Sequence, residues 1–388
     1  MFKGTGPTLC DLALMCYIKG MKEIGYTKRK REMHPSPVFT DKLIRESMET
    51  APSLARELLL NVALEKKPVT DLVGCLTYYT KAHLQELAED HAVKIPSSIR
   101  KAGLVEKLAD YMVGHFSHLL PYMPAANLEF LLLFKDQAAI KLDIDALQFS
   151  DISHVQNFGF LHLFKTKDSF TVVLPHELLP ELKVLSEESF WKKVELHQRL
   201  DAYAVALSNL YGVLDIDQFA IVWNQFEIEN LTPAMIQDEL VELAKVQYYW
   251  WFDDELIVSS YFKTEEEVEL FLENVKQVSY YGPSREELMK YFKTPYDDQS
   301  PAVSAMMEFL SGYRLPDGEQ IENLMDEISD ACIVGDEMQD VFELLNEYGL
   351  LFTGTEEITR FTELFSQLNE SCRKWELRGH LPTVLKKS

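Results

Sequence analysis

Between Lys81 and Met112 apolar residues recur at helical spacing on both sides of one proline, which commits this stretch to two helices joined by an extended segment. Leu84, Leu87 and Ala88 follow the i, i+3, i+4 rule, and Leu104 and Val105 stand four and three residues before Leu108. Each half therefore presents one apolar stripe, and each stripe needs the other to cover it. Pro96 disfavours the α region at Ile95 and ends the first helix. Ser97 or Ser98 offers a side-chain oxygen to cap the second. Arg100 and Lys101 then fall in the second helix's first turn, against the positive end of its dipole. A cation in that place costs stability, so a role outside helix formation is expected for the pair.

These residues resemble the helix-extended-helix module of SAP domains and of the N-terminal domain of the Rho transcription termination factor. That pattern is roughly L-x-x-L-A, a Gly-hydrophobic pair, Ser, an Arg-Lys pair, then L-[IV]-x-x-L. Leu84, Leu87, Ala88, Val93, Ser97, Arg100, Lys101, Leu104, Val105 and Leu108 match it, while Ala92 stands where Gly is usual and Gly103 where an acidic residue is common. The resemblance covers under a tenth of the chain. It implies contact with a phosphate backbone through Arg100 and Lys101, with Lys94 and Lys107 alongside them.

Charge adds a second constraint. The 388 residues carry 38 Lys or Arg against 62 Asp or Glu, a net of -24. Residues 1–80 hold 12 basic and 9 acidic residues, a net of +3, which leaves -27 for the remainder. The asymmetry suggests a basic N-terminal arm, Lys28, Arg29, Lys30 and Arg31, beside an acidic body that repels nucleic acid over most of its surface. A solvated loop before Pro35 and Pro37 is the plainer account of the same run. A hydrophobic content of 47% is ample for packed cores. The chain has no apolar run of membrane-spanning length, since Leu9 to Ile18 is short and interrupted by Asp11. Five scattered cysteines, Cys10, Cys16, Cys75, Cys332 and Cys372, suit a reducing cytoplasm better than a disulfide framework.

The expected fold class is mainly α with small β-hairpins, α+β, in several domains. Residues 1–80 read as a helical region with the basic arm, and 81–120 as the helix-extended-helix module. Residues 121–190 give a helix through Leu128, Leu131, Leu132 and Phe134, then a short apolar piece with Leu142, Ile144 and Leu147. A helix capped by Ser150 or Asp151 and ended by Gly159 follows. Leu161 to Lys165 and Phe170 to Leu174 then flank a polar connection that suits a hairpin. Three helices and a hairpin are the outline of a winged helix. Residues 191–263 repeat the order: a helix to Leu210 broken by Gly212, one started by Asp215 or Asp217, and one opened by Thr232 and Pro233. Two strands follow, Tyr248 to Phe252 and Leu256 to Val258. Residues 264–388 read all-helical, with capping boxes at Thr264/Glu267 and Ser284/Glu287, Asp336 as a further cap and a last helix from Thr355. The ending from Asn369 to Leu385 resembles one seen in uncharacterised bacterial proteins, which implies no function.

Base reading needs Arg, Lys, Asn or Gln on the third helix of a winged unit, and phosphate positioning needs positive charge. The first such helix offers Gln156 and Asn157 without a cation, and the second offers Gln237, Asp238, Glu239 and Glu242. Packing or protein contact is the expectation for both, with Lys165 and Lys167 on the first hairpin as the alternative. The alternating row Tyr248 to Phe252 supplies core on one side and a possible docking surface on the other. His115 and His118 share a helix but lack further ligands at metal spacing, and no phosphate loop, zinc-protease pair or nucleophile elbow occurs. The expectation is a cytoplasmic, non-enzymatic adaptor without cofactor, touching DNA or RNA through Lys28 to Arg31, Lys94, Arg100, Lys101 and Lys107, and a protein through its acidic body. The alternative is an acidic scaffold or nucleic-acid mimic that binds a basic partner.

Overall fold

In the computed structural model residues 59–96, 98–143, 146–165, 169–247, 249–315 and 321–385 are described. They fall into two compact units, one ending at Leu200 and the other beginning at Asp201. The described residues are mainly helical, with two small antiparallel sheets of three strands each among them.

In the unit that ends at Leu200, Asp71 opens helix α1 (Leu72–Thr77) by accepting the Gly74 N–H at 2.6 Å. Thr80 caps α2 (Lys81–Asp90) in the same way. The next helix, α3 (Lys101–Leu119), begins after an extended linker. Leu84, Leu87 and Ala88 of α2 and Leu104, Val105 and Leu108 of α3 are all buried, and the two helices pack together. The chain leaves α2 through a Schellman turn, in which the Val93 N–H returns to the Ala88 carbonyl at 2.7 Å and the Ala92 N–H to that of Glu89 at 2.8 Å. That turn holds Ala92 at φ +53°, where an L side chain is strained and glycine is not. The entry to α3 corrects the expected cap: Arg100 itself occupies the N-cap, extended and without a side-chain bond, and Lys101 is the first helical residue. Ser98 stands in the preceding turn, and Ser97 lies outside the described residues.

Further on, α4 (Ala125–Leu131) tightens into a 3-10 turn, Leu132–Phe134. Strand β1 (Ala139–Asp143) follows where a short apolar piece was expected. A second 3-10 turn, Phe149–Asp151, and α5 (Ser153–Asn157) lead to β2 (His162–Lys165) and β3 (Ser169–Val173). The sheet order is β1-β3-β2, with Val172 opposite both Ile140 and Leu163. Neither Ser150 nor Asp151 caps α5. The cap comes from Asn127 on α4, 1% exposed, whose Oδ1 accepts the His154 and Val155 N–H groups at 3.1 and 3.3 Å while its Nδ2 donates to the Ser150 carbonyl at 2.8 Å.

The boundary between the units falls inside α6 (Glu188–Tyr211). After Gly212 come β4 (Val213–Asp215), α7 (Ile216–Phe226), α8 (Pro233–Val246), β5 (Trp250–Asp253) and β6 (Leu256–Ser259), in the sheet order β4-β6-β5. Asp215 caps α7 by accepting the Gln218 N–H at 2.7 Å, and Thr232 caps α8 with Pro233 in its first turn. Both sheets thus place the last strand between the other two, and both follow the order helix, strand, helical segment, helix, strand, strand.

The rest of the second unit is helical: α9 (Glu265–Val275), α10 (Arg285–Tyr291), α11 (Pro301–Leu310), α12 (Ile321–Val334), α13 (Met338–Glu347), α14 (Thr355–Ser371) and α15 (Pro382–Leu385). One core joins Val213 and Val258 of the sheet to Met306, Ile328, Phe361 and Trp375. Thr264 and Glu267 complete their capping box. Ser284 caps α10, but the Glu287 carboxylate is drawn to Arg373 at 2.6 Å and the Tyr281 hydroxyl at 2.9 Å. Glu337 rather than Asp336 holds the N-cap of α13, because the Asp336 N–H is already tied to the Ala331 carbonyl at the end of α12, at 2.9 Å.

The left-handed residue at position 92 gives a direct test. Ala92→Gly relieves the strain of a positive φ and is expected to stabilise the protein by about 1 kcal/mol. A urea midpoint that stays level or falls would contradict this account of the turn.

Candidate functional site

The basic residues of the α2–α3 module do not gather into one patch. Lys94 and Arg100 are exposed, and neither pairs with a carboxylate among the described residues. The Lys101 ammonium donates to the Thr77 carbonyl at 2.7 Å, and the Lys107 ammonium to the carbonyl of Lys94. Lys101 and Lys107 are six positions apart on α3, about 240° around the helix axis, so one points toward the end of α1 and the other toward the linker. Residues 81–119 carry five Lys or Arg and five Asp or Glu, so the module has no net charge with which to hold a phosphate backbone. Lys28, Arg29, Lys30 and Arg31 lie outside the described residues.

The candidate base-reading groups fare similarly. Gln156 is buried within α5 rather than presented to solvent. Lys165 is held by Glu65 at 2.8 Å, and Lys167 lies outside the described residues. On α8, Gln237 donates to the Asp254 carbonyl at 3.0 Å, tying the helix to the β5–β6 turn, and Lys245 is paired with Glu242. Of the aromatic row, Trp250 is buried and donates to Asp201 at 2.9 Å, Tyr249, Trp251 and Phe252 are half-buried, and Tyr248 lies outside the described residues. His115 stacks on Tyr111 at 3.8 Å, and among the described residues no group of three or more His, Cys, Asp or Glu is placed to hold a metal ion.

The second unit also exposes apolar side chains. Trp223 and Asn224, at the end of α7, fix the loop that follows: the Trp223 indole donates to the Glu229 carbonyl at 2.8 Å. The Asn224 amide donates to the Leu231 carbonyl and accepts the Leu231 N–H, both at 2.9 Å. On that pinned loop Ile228 is fully exposed. Ile221 on α7 is 62% exposed and Met235 in the first turn of α8 is 50% exposed. Asp217, Ala220, Ile221, Asn224, Gln225 and Pro233 line an open depression between α7 and the start of α8. The buried stripe of α7 is Ile216, Phe219, Ala220, Val222 and Trp223, which leaves Ile221 on the opposite side. The sequence carried a signal for Ile228, an isoleucine set between Glu227 and Glu229 next to a turn, but none that the loop would be held rigid by residues of α7.

One buried polar cluster lies in the first unit. Tyr79 and His162 meet through the Tyr79 hydroxyl and His162 Nδ1 at 3.0 Å, and the Tyr79 ring stacks on His83 at 4.7 Å. His162 is completely buried, and its Nε2 has no hydrogen-bond partner among the described residues. Burial pushes its pKa down to about 3, with the nearby His83 contributing in the same direction.

Compared with family models, curated proteins and solved structures, the chain matches none. No described helix is long and apolar enough to cross a membrane.

His162 makes the first unit acid-sensitive. Between its ordinary value of 6.5 and its folded value of about 3 the unfolded chain binds a proton that the folded chain excludes. Stability therefore falls with pH through that window, by about 1.4 kcal/mol per pH unit from this residue. His162→Gln removes the contribution, so the difference in urea stability between parent and variant should slope with pH below 6.5 and be level above it. A difference independent of pH would show that His162 is not held neutral.

Proposed function

We propose that this chain is a non-enzymatic adaptor that binds a protein partner through the α7–α8 face of its acidic unit. One observation carries the reading: a fully exposed isoleucine on a loop fixed by three hydrogen bonds from Trp223 and Asn224. Exposure on a mobile loop is ordinary, whereas an apolar side chain held rigidly in water, with Ile221 and Met235 also exposed on the flanking helices, is the arrangement of a contact surface.

Two winged-helix-like arrangements fit the shared strand order β1-β3-β2 and β4-β6-β5. In the second, α8 stands where such a unit would present its third helix to a duplex. Its exposed residues are Ala234, Met235, Asp238, Val241 and Lys245, and the lysine is already paired. This face suits apolar contact with a protein and offers little to a phosphate.

Ile228→Asp combined with Met235→Asp places two charges in that contact while leaving the core intact. Captured from nuclease-treated lysate, the parent chain should retain a partner that the double variant loses, with both chains melting within a degree or two of each other. Equal capture by the two would remove the α7–α8 face from the function.

A second reading keeps nucleic-acid contact, favoured by the exposed Lys94 and Arg100 that no carboxylate among the described residues holds. Lys94→Glu with Arg100→Glu should then abolish retention of single- and double-stranded oligonucleotides at low salt. Unchanged retention would leave the protein contact alone.

A further inference from the structure

Two helices of the second unit end at one spot. α12 stops at Val334 and α14 at Ser371. Cys332, in the last turn of α12, meets Cys372, the C-cap of α14, in a hydrogen bond between their thiols. Both are free cysteines within the core that holds Phe361 and Trp375. We infer that Cys332 and Cys372 form a dithiol site that hydroperoxides oxidise to a disulfide, independently of the α7–α8 face.

A helix C-terminus is the negative end of its dipole and disfavours a thiolate. Lys374 offsets this. Its side chain is 3% exposed, and its amine donates to the Cys332 carbonyl and to Asn369 Oδ1. Those two acceptors need only a neutral donor, whereas enclosing an ammonium is costly unless negative charge accompanies it. The two sulfurs act on that ammonium more strongly than Glu376 or Asp336 do. The hydrogen bond also divides the roles. It pushes the Cys332 thiol up, and it holds the Cys372 thiol below its ordinary range, with help from Lys374 and against burial and Asp330. Cys332 is fully buried and Cys372 is 6% exposed, so a small oxidant meets Cys372 first.

The Cys372 thiolate attacks one oxygen of hydrogen peroxide. An S–O bond forms, the O–O bond breaks, and the hydroxide released becomes water with the proton that Cys372 gave up. Cys332 then attacks the Cys372 sulfur, so that the S–S bond forms and the S–O bond breaks. The second hydroxide leaves as water with the Cys332 proton. Two electrons pass from the sulfurs to the peroxide, and the new bond ties the last turn of α12 to the end of α14. Cys75 is the contrast within the same chain: it is buried, its thiol donates to the Val69 carbonyl at 3.4 Å, and burial with Asp71 and Glu177 nearby pushes it up to about 12.

The test treats the reduced full chain with hydrogen peroxide at neutral pH, caps the remaining thiols with iodoacetamide and digests the product. The peptides carrying Cys332 and Cys372 should be recovered joined, and their loss of free thiol should run about tenfold or more faster than that of Cys75. Cys332→Ser should leave Cys372 as a sulfenic acid that dimedone labels, while Cys372→Ser should leave Cys332 unlabelled. The inference is overturned by capped Cys332 and Cys372 after treatment, by bonds from either to another cysteine or another copy, or by a joined pair that forms only in urea. Equal dimedone labelling of Cys332 in the second variant overturns the order of attack.

Discussion

The second unit is closed by the contact between Trp375 and Gly212. Gly212 takes a φ of +74° at the corner between α6 and β4, and a Cβ built on it would lie 2.7 Å from the indole ring. The ring fills that place, donates to the Asn209 carbonyl at 2.8 Å and sits in the core shared with Phe262. The Trp375 N–H reaches the Ile333 carbonyl at 3.2 Å, and the buried Lys374 amine donates to that of Cys332, so one turn of chain satisfies the open end of α12. Burial pushes the Lys374 pKa down, against the opposing influence of Cys332, Cys372, Glu376 and Asp336 nearby. Truncating a buried tryptophan typically costs about 3 to 5 kcal/mol, against a total of roughly 5 to 15 for a whole domain. Because β4 begins directly after Gly212 and pairs with β6, the same contact fixes the sheet against which α7 and α8 are packed.

How far the sequence revealed this depends on whether a signal was local. Asp215, Thr232 and the Thr264/Glu267 box lie within three residues of the groups they satisfy, and each marks the start of its helix. The stripes of α2 and α3 were equally plain, because periodicity is a property of the segment itself. The cap of α5 was not legible, since Asn127 acts on residues 27 and 28 positions further along. Glu287 was misread for a similar reason: Arg373, 86 residues away, outcompetes the local backbone N–H. Strand β1 has no cap or turn that announces it, and its place is set by β3, with which it pairs. The α7–α8 face was visible only as isoleucines without a role. Their exposure depends on Trp223 and Asn224 holding the loop, a contact that composition cannot show.

Charge has its boundary where the units do. Residues 1–200 hold 25 Lys or Arg and 25 Asp or Glu, so the whole net charge of -24 belongs to residues 201–388. A body of that sign repels a polyanion at distances up to about a Debye length, near 8 Å at physiological salt. Local cations can offset such a field only if they converge, and Lys101 and Lys107 instead secure carbonyls of their own module. The module therefore reads first as a packing device whose strained turn at Ala92 is held by the helices on either side.

The exposed isoleucines set the scale of any contact. Fully covering an exposed side chain such as Ile or Met contributes about 1.5 to 3 kcal/mol, so Ile228 with the half-covered Ile221 and Met235 supplies about 3 to 6 kcal/mol. Association itself costs about 4 kcal/mol or more in lost freedom. An apolar patch of this size alone thus holds a free partner weakly, and charge must add the remainder by speeding encounter and by attracting the basic edge of whatever binds.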